Sequence, residues 1–181
     1  MFGFSVSEQA QKLYEEGLEL PIKFLKELET IPDEQMPDYV WTDAYMQGFF
    51  LTFVMQLRGF QMNGQPLHQP SQKDIEVVAE VFRKYLCPNH WDEVRGAAKR
   101  FQDGDAPDDW SIDDYGTACK HAVNVVGIMF GTLAPEFHNE PEIIEAKRRA
   151  QSNDIGYDLT SPYLFSIYMV NRISYLEKTE P

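Results

Sequence analysis

The chain has 181 residues, a length that suits one domain with a real core; its 43% apolar and 25% charged residues are globular values that argue against a disordered, collagen-like or membrane-embedded chain. Sixteen basic against twenty-nine acidic residues leave a formal charge of −13, so the long-range field repels phosphate backbones and anionic headgroups and draws in basic surfaces. Direct nucleic-acid binding and membrane association are disfavoured on that ground, and a basic protein partner is favoured.

Helix signals recur along the chain and strand signals are nearly absent, which predicts an all-α, single-domain bundle of about seven helices over residues 1–181. Ser5 and Glu8 have capping-box spacing for the first helix, and Pro21 is expected to interrupt it and begin a second short segment carrying Ile22, Leu25 and Leu28. Residues 31–38 form a proline-bounded linker, after which Asp38 or Thr42 is the expected cap. The helix that follows, about Asp43 to Phe60, shows Tyr45, Phe49, Thr52 and Phe53 on one side and Phe50, Val54 and Leu57 on another. Apolar nearly all round, it is the predicted central rod, covered by its neighbours on most sides.

Asn63-Gly64 with Pro66 and Pro70 marks the next loop, and Ser71 caps a helix on which Ile75, Val78, Phe82 and Tyr85 recur at three and four residues. From Asn89 to about Gln102, Trp91, Val94, Ala98 and Phe101 make one stripe of a surface helix. Ser111 and Asp114 have capping-box spacing for a long helix to about Leu133, closed by Pro135, with Cys119, Ala122, Val126, Met129, Phe130 and Leu133 as its apolar face. Asn139 with Pro141 starts a short charged helix. Ser161-Pro162 starts the last, with Leu164, Ile167, Tyr168, Tyr175 and Leu176 as packing candidates.

No constellation in the chain fixes a reaction. Cys87-Pro-Asn-His90 and Cys119-Lys-His121 together hold a ligand set that zinc accepts, but residues 119 and 121 lie about 200° apart around a helix, so the expected outcome is Cys119 in the core, His121 on another face and no metal. A di-iron carboxylate bundle needs Glu three residues before His; here Gln65, Cys87, Ala118 and Pro135 precede His68, His90, His121 and His138 at that spacing. A calcium loop from Asp103 fails where Pro107 and Asp108 replace a ligand and the turn glycine. No Gly-rich phosphate cradle, nucleophile elbow or helical His-Glu-x-x-His is present, and no cofactor is expected. Two cysteines within or at the end of helices, and a start, MFGFSVSEQ, without a basic region and cleavable apolar stretch, point to reduced thiols and a cytoplasmic location.

The most distinctive surface feature is acidic: Asp103, Asp105, Asp108, Asp109, Asp113 and Asp114 surround Trp110 in a stretch without Lys or Arg. Asp105, Asp108, Asp109, Trp110 and Asp113 are the candidate partner-binding residues, the indole as anchor and the carboxylates as steering charges. A purely structural account runs beside it, in which Asp113 and Asp114 favour a helix macrodipole and Trp110 docks as a hydrophobic staple. Gly127 and Gly131 would let another backbone come close, within the chain or between two copies, so a homo-oligomer stays open. The functional expectation is a non-catalytic regulator, adaptor or inhibitor acting by stoichiometric association with a basic surface. Its alternative is a small hydrolase or metal-assisted enzyme with a site assembled from dispersed His, Asp and Glu.

The stretch WTDAYMQGFFLTF, with Trp41, Tyr45, Met46 and Gly48, resembles the tryptophan, aromatic and glycine segment of the YecA/YgfB-like family of bacterial helical proteins. A second, vaguer similarity lies between Ala118 and Phe130. Together they span under a fifth of the chain. The family's amino-terminal glycine-leucine-leucine segment and the cysteine-rich tail of some members have no counterpart here. The resemblance implies an all-helical cytoplasmic bacterial protein acting by protein contact, and it transfers no catalytic residue.

Overall fold

Capping chemistry sets several of the helix starts. The computed structural model describes residues 4–28, 38–104, 112–152 and 158–179. Among them are eight α-helices and no strand, an all-α bundle as the periodicity requires. Helix α1, Val6–Gly17, opens on a capping box: the Ser5 hydroxyl accepts the Glu8 amide at 3.2 Å while the Glu8 carboxylate accepts the Ser5 amide at 2.7 Å. Helix α2 is Glu19–Leu28. The corner between them falls at the buried Leu18, three residues before Pro21, because a proline in the first turn of a helix lacks only an amide that has no partner there anyway. Counted separately, α1 and α2 bring the helices among the described residues to eight, in line with the expected bundle of about seven.

Helix α3, Ala44–Asn63, is the central rod, and thirteen of its twenty residues are buried. Its cap is Asp43, whose carboxylate accepts the Met46 amide at 3.0 Å; neither Asp38, which lies in the helical turn Asp38–Trp41, nor Thr42 takes that place. The helix runs one turn further than Phe60 and stops at Gly64, whose φ of 64° suits a residue without Cβ. Helix α4, Gln72–Val81, starts on a second capping box, Ser71 with Asp74, and continues into a π-helical turn, Phe82–Leu86, closed by the Cys87 amide on the Phe82 carbonyl at 2.8 Å. Val77, Val78, Val81 and Phe82 face the core, whereas the expected Ile75 stands 41% exposed. Helix α5 is Trp91–Asp103 and buries Trp91, Val94 and Ala97.

Helix α6 is Ile112–Met129. Pro135 does not end it. The chain leaves the helix at Gly131, φ 67°, and the Thr132 and Leu133 amides fold back onto the Gly127 carbonyl at 2.7 and 3.0 Å. A Cβ on Gly127 would sit 3.1 Å from the Leu133 Cα, so the pair of glycines serves the reversal of its own chain. Helix α7 is Pro141–Gln151, with Glu140 rather than Asn139 flanking its first proline, and α8 is Thr160–Thr179. Of the residues expected to pack α8, Leu164, Tyr168 and Leu176 are buried and Tyr175 is 53% exposed.

Helix α3 touches α1, α4, α5, α6 and α8. The pairing with α6 is close because Gly48 faces Tyr115: a Cβ there would lie 3.0 Å from both the ring and the carbonyl oxygen of Tyr115. At the core, Phe165 of α8 meets Phe49, Phe50 and Phe53 with ring centroids 5.5, 6.0 and 5.4 Å away. Arg58 is the exception in this greasy rod. It is 1% exposed, and its guanidinium donates to Asp74 at 3.0 Å, Gln9 at 2.8 Å and Gln61 at 3.1 Å, tying α1, α3 and α4 together.

Candidate functional site

Of the candidate partner-binding residues, Asp105, Asp108, Asp109 and Trp110 lie outside the described residues, as does the expected cap Ser111. Asp113 is exposed in the first turn of α6, and Asp103 is exposed at the end of α5. Asp114 is not free to steer a partner: its carboxylate lies 3.0 Å from Arg172 of α8. Arg172 also grips Asp43 through two bonds, at 2.9 and 2.5 Å, and its guanidinium stands over the rings of Tyr45 and Tyr175 at 5.3 and 4.8 Å. Burial works against the Arg172 charge, but the bonds and charges of Asp43 and Asp114 outweigh it and raise its pKa. The arginine thereby pins the start of α6 to α8.

Beneath this knot the Tyr45 hydroxyl meets His121 Nδ1 at 2.7 Å, and the imidazole stacks on Tyr168 with centroids 4.0 Å apart. Burial raises the Tyr45 pKa and lowers that of His121, so a protonated phenol and a neutral imidazole share this hydrogen bond. Cys119 lies on another face of α6, where its thiol accepts the Thr52 hydroxyl at 3.1 Å. Cys87 is buried and its thiol is pushed up to about 12 by that burial. His90 contacts Glu93 at 2.8 Å and His138 contacts Lys147 at 3.0 Å, so these histidines sit in separate surroundings. Among the described residues no three His, Cys, Asp or Glu side chains are grouped to hold a metal ion, and no helix is long and apolar enough to cross a membrane.

The His121 environment sets a pH dependence with a definite sign. A folded pKa below the unfolded value of about 6.5 means that the unfolded chain takes up the proton first. Above about pH 6.5 this group leaves stability unchanged, and as pH falls from there toward the folded pKa it lowers stability. Thermal melts of the protein are expected to decline between pH 6.5 and 5, and His121→Gln is expected to flatten that decline. An identical slope in the variant would remove His121 as its source.

Sequence reasoning missed Arg172 and its two carboxylates, which are far apart along the chain, as well as the Tyr45–His121 bond. The one local signal was Asp43 itself, placed where a helix cap belongs. Compared with family models, with curated proteins and with solved structures, the chain has no match in any of the three.

Proposed function

We propose that this protein is a non-catalytic binding module, a regulator, adaptor or inhibitor that associates stoichiometrically with a basic surface of a protein partner. The observation that carries the reading is the excess of exposed carboxylates. Arg58, Lys84, Lys120, Arg148, Arg149 and Arg172 are held by carboxylates of the same chain, while Arg95 and Lys99 on α5 have no carboxylate partner among the described residues. Asp92, Asp103, Asp113, Glu136 and Glu177 stand exposed with no ion pair to another described residue. On a chain of −13 these carboxylates supply an outward negative field, which raises encounter rates with a basic surface. The resemblance of the Trp41–Gly48 stretch to the YecA/YgfB-like family is in keeping with action by protein contact.

The test is affinity capture from the native host's lysate at low salt and at about 0.5 M salt, where the Debye length shrinks to roughly 4 Å. A basic partner retained at low salt and lost at high salt is the expected result. Reversing Asp108, Asp109 and Asp113 to Lys is expected to weaken the purified complex by about tenfold or more. A complex indifferent both to salt and to the reversal would overturn the steering role of the acidic surface.

A further inference from the structure

Helices α4 and α5 both pack on α3, and between them lies a cleft of about 580 Å³. Its floor is apolar: Leu51 and Met55 of α3 are only partly buried there. Ile75 and Ala79 on the α4 side and Trp91 and Ala98 on the α5 side continue that surface up the walls. The lining carries charge opposite to that of the molecule as a whole. Arg95 and Lys99, one turn apart on α5, are exposed and have no carboxylate partner among the described residues, and Arg83 stands 5.9 Å over the Trp91 ring. Two acidic side chains also line the cleft, on α4; Glu80 is held by Lys84 at 3.1 Å and Glu76 accepts the Gln72 amide at 3.2 Å. Trp91 is only 7% exposed, yet its indole N–H meets no acceptor.

An apolar floor under unpaired cations suits a ligand that is greasy at one end and anionic at the other. A volume of about 580 Å³ lies within the range of about 300–1,000 Å³ that commonly encloses small organic molecules.

We propose that this cleft binds a small amphiphilic carboxylate, its medium-length alkyl tail on Leu51, Met55 and Ile75 and its carboxylate between Arg95 and Lys99. The site is separate from the acidic surface, so it stands or falls without the proposed partner binding. The test is calorimetric titration of the full chain with decanoate, with acetate, which has the head alone, and with decyltrimethylammonium, which has the tail and the opposite charge. Decanoate is expected to bind one to one, and the other two at least about tenfold more weakly. Arg95→Glu with Lys99→Glu changes two exposed side chains, and it is expected to weaken decanoate by about tenfold or more with an unchanged circular dichroism spectrum. Ala98→Phe, which fills the cleft, is expected to weaken it as well. Three results each overturn the proposal: no saturable heat with decanoate, equal binding of the cationic amphiphile, or unchanged decanoate affinity in both variants.

Discussion

Asp74→Ala is expected to destabilise the protein by about 3–5 kcal/mol, the usual cost of stranding a buried charge. Arg58 is almost wholly enclosed, and Asp74 is the carboxylate that faces it, at 3.0 Å. The remaining partners, Gln9 and Gln61, are neutral amides that accept hydrogen bonds without cancelling the charge. The same substitution removes one half of the α4 capping box, in which Asp74 accepts the Ser71 amide at 3.0 Å and the Ser71 hydroxyl at 2.6 Å. At about 2–4 °C per kcal/mol for a chain of this size, the melting temperature should fall by roughly 6–20 °C. Adding Arg58→Met to Asp74→Ala removes the stranded cation, so the double variant should regain part of the loss. A double variant no more stable than Asp74→Ala would show that the charge is not the source of the cost. Partial burial of Asp74 opposes its ionisation, but the Ser71 bonds and the Arg58 charge outweigh it and lower its pKa. Its stabilising contribution is therefore present above the unfolded value of about 3.9 and lost as pH falls below that.

Phe165→Ala should cost a comparable amount, about 3–5 kcal/mol, through the cavity it leaves among Phe49, Phe50 and Phe53. These rings meet mostly edge to face, an arrangement worth about 0.5–1.5 kcal/mol per pair beyond burial, and α3 and α8 are both held along their length, so collapse into the void is limited. The pair Phe60–Phe130 supplies the comparison. Those rings stack at 4.2 Å, but Phe130 is 44% exposed, so Phe130→Ala opens no cavity and should cost about 1 kcal/mol or less. Urea denaturation of both variants checks the contrast. Equal losses would mean that the aromatic cluster of α3 and α8 is not the centre of stability.

Much of the helix framework was legible because its causes are local. Ser5 and Ser71 stand three residues before a carboxylate that can close a capping box, and the apolar character of α3 on every side could only mean a covered rod. Errors arose where a local cue had two solutions. On α4, Ile75, Val77, Val78, Val81 and Phe82 form overlapping stripes, and contact with α1 and α3 chose the one that leaves Ile75 outside. At the end of α6 both Gly131 and Pro135 can stop a helix; the glycine comes first and reverses the chain there. The polar ties were hidden for a different reason. Arg58 in an apolar helix signals that a partner must exist, but nothing near it in sequence says that Asp74 and Gln9 are the partners. Arg172 and Asp43 are 129 positions apart. The acidic stretch was conspicuous in composition, while the cleft between α4 and α5 exists only once three helices are assembled.

Asp43 does two jobs with one carboxylate, accepting the Met46 amide that starts α3 and the Arg172 guanidinium that holds the outer half of α8. The part of α8 around Arg172 therefore cannot come away without loosening the first turn of the innermost helix. Fluctuations at two places widely separated along the chain are thereby joined into a single cooperative opening.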